Sequence, residues 1–501
     1  MAITQYFTWL SDDSFFWREG EFLDCNNIDI IENSRYIDGA KQPSLTEIWT
    51  SIGSSITVCK DSVTYPVFAN ATGTYWGFWW VNWSVSDWGM SWCYLIEQIW
   101  TSTLPVTYWF KNGYIRQQTY NGSSVTNVGA WAITTNVPTW VPTASCVGAW
   151  RIYFAVWNII YVLNTTVDPT TTLSTVNATA ANSTIPYWST IKYIYIYMDV
   201  MNVVATNGKD TTIYQLVEST TDVWVIRYYH TKQWVVCINA YGDGNNIYWI
   251  SSDSIYLSNG TDSQKVKVYW KDEFATTFSA SSFCTISDWI FKISDWADLF
   301  EYGHKKPWYW PVLIKKTRPR ALTAMSGRLE VSYNNPNVYW GRDNSFPTSP
   351  YKDWSWTSLP YEGSVFAQKM EQLALRVWLM LPAYSTYTST STLCSMTVQV
   401  LTDEMDALAI TTPVTVATIT TPATWVAERF VDISLSELNA ALSNAWYNPD
   451  FHYLKVTING LKGDLANTTA VYGENLWRKT PKLFSVEFIH KDIKKWIPQW
   501  S

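Results

Sequence analysis

Four stretches between residues 151 and 303 share one pattern, and it constrains the fold of this chain more than any other feature. They are RIYFAVWNIIYVLN (151–164), VWVIRYYHTKQWVVCINAYG (223–242), NIYWISSDSIYLSNG (246–260) and SDWIFKISDWADLFEYG (287–303). Each sets two runs of about five aromatic or β-branched residues around a short turn, the signature of a β-hairpin. Such units recur every ~40–50 residues, a period that fits propeller blades or a comparable ring of antiparallel sheets. The spacing is uneven and no WD or Kelch signature occurs, so a multi-sheet sandwich is the competing architecture.

Beyond Tyr361 the pattern changes. Leu373, Leu375, Val377 and Leu379 alternate with other residues, and MTVQVL (396–401), FVDIS (430–434), YLKVTING (453–460) and LFSVEFIH (483–490) follow. Period-two alternation at this spacing predicts an antiparallel β-sandwich. One short helix is expected after Ser434, where Ser434 and Glu437 form a capping box. The expected fold class is therefore all-β, a propeller-like array of antiparallel sheets followed by a C-terminal β-sandwich. The expected divisions are 1–100 leading into the first blades, 101–345 as propeller-like repeats, and 361–501 as the sandwich. At ~140 residues that last segment is long enough to bury a core of its own.

The turns themselves carry an anomaly. The 501 residues include 33 Trp and only 21 Gly, where average usage of roughly 7% would give about 35 glycines. SDSIYLSNG (252–260) and SDWIFKISDW (287–296) are the same phrase with one residue inserted, so Gly260 and Trp296 occupy equivalent places. Trp289 follows Ser287-Asp288, where turn chemistry calls for glycine. Trp157, Trp234 and Trp270, with Trp308 and Trp310, sit at similar points, and Trp446 falls at the C′ position of the expected helix. These placements are explained if a codon read as glycine by the natural host, UGA, has been rendered as tryptophan. Such reassignment occurs in some bacterial lineages and in phages that infect them. Trp157, Trp234, Trp270, Trp289, Trp296 and Trp446 are the positions expected to be glycine, whereas Trp109, Trp249, Trp340 and Trp477 have the context of authentic tryptophans. The competing reading is a Trp-rich sugar binder with aromatic platforms, which does not explain tryptophan after turn dipeptides.

Charge and cysteine usage narrow the function classes. Charged residues make up 15% and the net charge is −7, so nucleic acid is not the expected partner. The seven cysteines are scattered and never form a CxxC pair, which fits synthesis in a reducing compartment. No apolar stretch is long enough for a membrane-spanning helix, and the N-terminus lacks the pattern of a secretory signal. Membrane insertion is not expected.

No catalytic pattern stands out. His230, His304, His452 and His490 form no HExxH or i, i+4 metal pair. YGDGNN (241–246) is better explained as a hairpin turn than as a cation loop, and DEMD (403–406) as an acidic loop. Neither GxSxG nor a P-loop occurs, and no cofactor is expected. The cluster Lys315, Lys316, Arg318 and Arg320 is the one candidate for docking an acidic neighbouring subunit, or for touching DNA if the protein lines a conduit, against the simpler reading of a solvated basic loop.

Three further stretches point to a family. EGEFLDCNNIDIIENSRYIDG (19–39), SSDSIYLSNGTDSQKV (251–266), and the closing SVFAQKMEQLALRVWLML (364–381) with RKTPKLFSVEFIH (478–490) resemble tailed-phage virion proteins. Minor tail, tail-tip and tail-nozzle components are the nearest in style, and Thr480-Pro481-Lys482-Leu483 fits their closing strand. The resemblance spans most of the chain without an invariant motif. It implies a non-enzymatic structural role in the virion after synthesis in the host bacterial cytoplasm, as a homo-oligomer whose partners are other tail proteins. A tail-fibre module binding host-surface glycans is the alternative, and a capsular polysaccharide depolymerase the second.

Overall fold

The computed structural model describes residues 2–4, 9–10, 21–31, 36–39, 46–49, 67–70, 73–78, 81–86, 94–100, 105–111, 114–120, 125–128, 139–148, 151–164, 177–178, 185–220, 223–244, 246–252, 254–259, 261–269, 278–287, 290–296, 298–303, 312–317, 322–326, 329–334, 337–342, 353–358, 360–362, 373–381, 394–420, 427–448, 451, 453–461 and 481–490. The chain is all-β, with antiparallel pairing almost throughout.

Seven sheets follow one another along the chain among the described residues. Blade 1 pairs Val67–Asn70, Gly73–Phe78 and Val81–Ser86. Blade 2 runs from Tyr94–Trp100 to Val125–Val128 and blade 3 from Ala144–Gly148 to Asn177–Ala178. Blade 4 runs from Thr190–Tyr197 to Val223–Lys232 and blade 5 from Asn239–Asp243 to Ser263–Tyr269. Blade 6 runs from Phe283–Ser287 to Val312–Thr317. Blade 7 joins Leu322–Ser326, Leu329–Asn334 and Asn337–Arg342 to a strand from far upstream, Thr46–Trp49. From blade 2 to blade 7, the first strand of each sheet packs on the first strand of the next. This arrangement is propeller-like, and the final sheet is completed by an N-terminal strand.

Blade 3 is buried on both faces, which accounts for its apolar strands. In blade 3 the second strand, Arg151–Val156, is buried at every residue but Arg151. Its Tyr153 and Ala155 belong to the core shared with blade 4, whereas Ile152, Phe154 and Val156 belong to the core shared with blade 2. Between blades 4 and 5, Tyr193, Tyr195 and Tyr197 stack at 6.4 Å spacing along one strand. The Tyr193 hydroxyl accepts from the backbone N–H of Gly242 at 2.9 Å, and the Tyr195 hydroxyl accepts from that of Gly244 at 3.0 Å. A Cβ on Gly242 would collide with the Tyr195 ring, so the close approach of these blades requires glycine there.

The remaining strands form two facing sheets. One has the order Ala427–Ile433, Leu373–Leu381, Lys482–His490, Tyr36–Gly39, Ile28–Ile31, with Ala2–Thr4 also on Lys482–His490. The other has the order Trp9–Leu10, Glu21–Asn26, Trp354–Ser358, Tyr453–Leu461, Ser395–Thr402, Val414–Thr420, with Tyr361–Glu362 also on Tyr453–Leu461. Leu375, Val377 and Leu379 of the first meet Met396, Val398, Val400, Val456 and Ile458 of the second in one core. The alternation expected from residue 373 onward is the inward face of this sandwich.

The sandwich does not consist of residues 361–501 alone. The first 39 residues supply strands to both sheets, and Trp354–Ser358 lies inside the second one. The expected division is corrected accordingly: the N-terminal region does not simply lead into the first blade. Its strands pair across more than 300 residues of sequence, a relationship that local pattern cannot reveal. Among the described residues two helices occur where one was expected. Leu435–Asn444 carries the capping box, and Asp403–Ala407 is a single helical turn at the DEMD segment that had the look of an acidic loop.

Candidate functional surface

The propeller-like array and the sandwich meet at Asn26 and Asn27. The backbone N–H of Asn27 donates to the Lys315 carbonyl at 2.9 Å, and its Oδ1 accepts from the Thr317 N–H at 2.7 Å. Its Nδ2 donates to the Asp353 carbonyl at 3.2 Å, and the Thr317 hydroxyl donates to Asn26 Oδ1 at 2.9 Å. Asn27 has φ +54°, a conformation that asparagine accepts more readily than most residues. One buried side chain thus ties the last strand of blade 6 to the sandwich. Beside it, burial raises the Asp24 carboxyl above its ordinary value, with Lys315 opposing that shift.

This geometry corrects the reading of the basic cluster. Lys316 is 5% exposed, and its Nζ lies 2.8 Å from Glu301, which is also within 3.8 Å of Lys292. Lys315 pairs with Asp298 at 3.3 Å. LIKKT is a strand rather than a loop, so successive lysines project to opposite faces and Lys316 enters the interior. It is not available to dock a neighbour. Arg318 and Arg320 lie outside the described residues.

Among the described residues, several exposed aromatics gather where blades 3 and 4 adjoin. Trp140, just before blade 3, is 65% exposed, and Tyr187 and Trp188, just before blade 4, are 82% and 61% exposed. Trp157 occupies the turn between the second and third strands of blade 3. The indoles of Trp140 and Trp157 meet edge-on at 6.3 Å, and the rings of Tyr187 and Trp188 meet edge-on at 4.9 Å. The loops are held together: Asn158 Nδ2 donates to the Ile185 carbonyl at 3.1 Å, and the Ile191 N–H donates to the Trp157 carbonyl at 2.8 Å. Such a cluster can stack on sugar rings or bury against an apolar partner. Sequence reasoning missed Tyr187 and Trp188. The signal was present in IPYWST, two aromatics directly after a proline in a loop.

Among the described residues no cluster of His, Cys, Asp or Glu is placed to hold a metal. His230 bridges blades 4 and 5, its Nε2 lying 2.8 Å from Ser263 Oγ and 3.3 Å from Ser258 Oγ. YGDG is a hairpin turn, with Asp243 paired to Asn246 and Gly244 at φ +59°. In the DEMD turn, Asp406 accepts from the Tyr453 hydroxyl and pairs with Lys455 at 2.8 Å, a contact internal to the sandwich. His304 and His452 lie outside the described residues.

Nine of the described tryptophans form two contrasting sets, whereas Trp140, Trp188 and Trp378 belong to neither. Trp109 and Trp249 are fully buried; Trp109 donates to Gln118 at 2.9 Å, and Trp249 stacks on Tyr256 at 4.1 Å. Trp224, Trp354 and Trp356 are buried as well. Trp157, Trp234, Trp296 and Trp446 are exposed at 52%, 74%, 80% and 95%, and all four have positive φ. Trp270, Trp289, Trp308, Trp310 and Trp477 lie outside the described residues, as does the side chain of Trp340.

No family model and no curated protein sequence matches this chain. Solved structures do. The Neurospora crassa Pan2 WD40 domain is 9% identical, covering 64% of this chain and 99% of its own, with a TM-score of 0.39. Kluyveromyces lactis Hsv2 is 11% identical, covering 59% of this chain and 97% of its own, with a TM-score of 0.35. The extracellular domain of a one-component system from B. thetaiotaomicron is 10% identical, covering 72% of this chain and 56% of that one, with a TM-score of 0.40. At these values the similarities identify neither an activity nor a partner.

Proposed function

We propose that this chain is a non-enzymatic structural subunit of a tailed-phage virion, a tail or tail-tip component that acts by assembling with other virion proteins. The observation that supports this reading is the way the chain fastens itself. Thr46–Trp49 completes blade 7, Ala2–Thr4 pairs with Lys482–His490, and Asn27 pins blade 6 to the sandwich. Distant segments locked into two adjoining β bodies make a block suited to holding its shape within an assembly, and the resemblance of residues 19–39 and 478–490 to tail proteins points the same way. Immunogold labelling of purified particles with antibodies against the chain tests the proposal. Label confined to the tail or its tip supports it, and unlabelled particles in a lysate containing the free protein refute it.

The exposed aromatics at blades 3 and 4 favour a second reading, a glycan-binding module of a tail fibre. Tyr187 and Trp188 offer two large, exposed ring faces on a braced loop. Binding of host-surface polysaccharide that is lost in Tyr187→Ala and Trp188→Ala would favour this reading over a purely assembling role.

A further inference from the structure

Of the eight non-glycine residues with positive φ among the described residues, four are tryptophan: Trp157, Trp234, Trp296 and Trp446. Asn27 and Asp199, also among the eight, have short polar side chains that tolerate this region. Tryptophan has no such tolerance, because its Cβ crowds the following carbonyl and its ring makes no local hydrogen bond in compensation. Only two glycines, Gly208 and Gly244, have positive φ among the described residues. Among the described residues, tryptophan therefore fills left-handed positions more often than glycine does.

The local geometry at each position calls for glycine. Val156 pairs with Ile159, leaving Trp157-Asn158 as a two-residue hairpin turn, and Asp295 pairs with Asp298 around Trp296 in the equivalent turn of blade 6. Two-residue hairpins need positive φ at one or both central residues. Trp234 ends the turn after Val223–Lys232, its N–H donating to Asp210 Oδ1 at 2.8 Å. At Trp446 the helix Leu435–Asn444 closes with a complete Schellman motif. The Trp446 N–H donates to the Ser443 carbonyl at 3.0 Å, and the Tyr447 N–H donates to the Leu442 carbonyl at 3.0 Å. That motif places a left-handed residue, usually glycine, at C′.

The indoles contribute little to packing. Trp446 is 95% exposed, Trp234 lies under the Lys209 ammonium at 3.4 Å on the surface, and Trp157 meets only the exposed Trp140 among the described ring contacts. None joins a core that would offset an unfavourable backbone.

We infer that Trp157, Trp234, Trp296 and Trp446 stand where the natural protein carries glycine, their codons being UGA read as glycine by the host. The buried Trp109, Trp224, Trp249, Trp354 and Trp356 are genuine tryptophan. The aromatic surface of blades 3 and 4 then rests on Trp140, Tyr187 and Trp188, without Trp157.

The gene and the native protein test this together. The expected result is TGA at the four left-handed positions and TGG at the five buried ones, with peptide mass spectrometry of the native protein finding glycine at the four. TGG at any of the four, TGA at the buried five, or tryptophan in the native peptides overturns the inference. A recombinant chain carrying Trp157→Gly, Trp234→Gly, Trp296→Gly and Trp446→Gly is expected to melt several degrees higher and aggregate less than the chain with tryptophan. Equal or lower stability of the fourfold variant counts against it. Trp249→Gly, which empties a core position, is expected to lower the melting temperature.

Discussion

The Thr317 N–H donates to Asn27 Oδ1 at 2.7 Å across a sequence separation of 290 residues, joining the last strand of blade 6 to the point where the chain crosses from Glu21–Asn26 in one sandwich sheet to Ile28–Ile31 in the other. Asn27 is 8% exposed and also donates to the Asp353 carbonyl. Asn27→Ala removes both side-chain bonds and places a Cβ residue without a polar group at φ +54°. The expected loss is about 1–3 kcal/mol. Asn27→Gly keeps the backbone conformation and should lose less. Denaturant unfolding of the two variants checks the order, and equal losses would show that conformation contributes nothing.

The sandwich needs its N-terminal strands. A fragment of residues 361–501 lacks Glu21–Asn26, Ile28–Ile31, Tyr36–Gly39 and Trp354–Ser358, leaving Tyr453–Leu461 and Lys482–His490 with unpaired edges. It is expected to aggregate or melt without cooperativity, whereas adding residues 1–45 and 346–360 should restore a cooperative transition. Calorimetry of both fragments decides the matter.

Gly242→Ala is expected to destabilise the chain by about 1–3 kcal/mol, the usual consequence of overpacking. The new methyl would meet the Tyr195 ring, and relieving that clash would pull the Tyr195 hydroxyl away from the Gly244 N–H. Hydrogen exchange should show lost protection along the seam of blades 4 and 5, with the sandwich unaffected.

Asp24 gives a pH dependence of definite sign. Burial raises its folded pKa above the ordinary 3.8, so the native state holds this proton more tightly than the unfolded chain. Its contribution is most favourable below the ordinary value and declines as pH rises through the raised one. Asp24→Asn should remove that decline, so the variant gains on the natural chain as pH rises from about 4. A variant that loses ground over the same range would show that attraction to Lys315 outweighs burial.

Much of the fold was legible because blades 2 to 6 are each built from consecutive strands. The hairpins of blades 3 to 6 lie within short spans, and alternation or turn chemistry marks their ends, as at Tyr241–Asn246. The pairing of Ala2–Thr4 with Lys482–His490 was not legible, because neither strand names a partner nearly 490 residues away. The basic cluster misled for a different reason. Adjacent in sequence, Lys315 and Lys316 read as one patch, although strand alternation sends Lys316 to Glu301. Glycine-like tryptophans were legible at Trp157, Trp234, Trp296 and Trp446 because turn and cap chemistry depends on immediate neighbours. The aromatic surface required tertiary structure to bring Trp140 towards Trp157 and to brace the loop of Tyr187 and Trp188 beside them.

The most direct test of the assembly reading is quantitative mass spectrometry of gradient-purified particles from the natural host. The account predicts peptides of this chain in intact particles, at a fixed ratio to the tail proteins that survives high-salt washing. Peptides found only in the soluble lysate, or lost from the particles in proportion to washing, would contradict it.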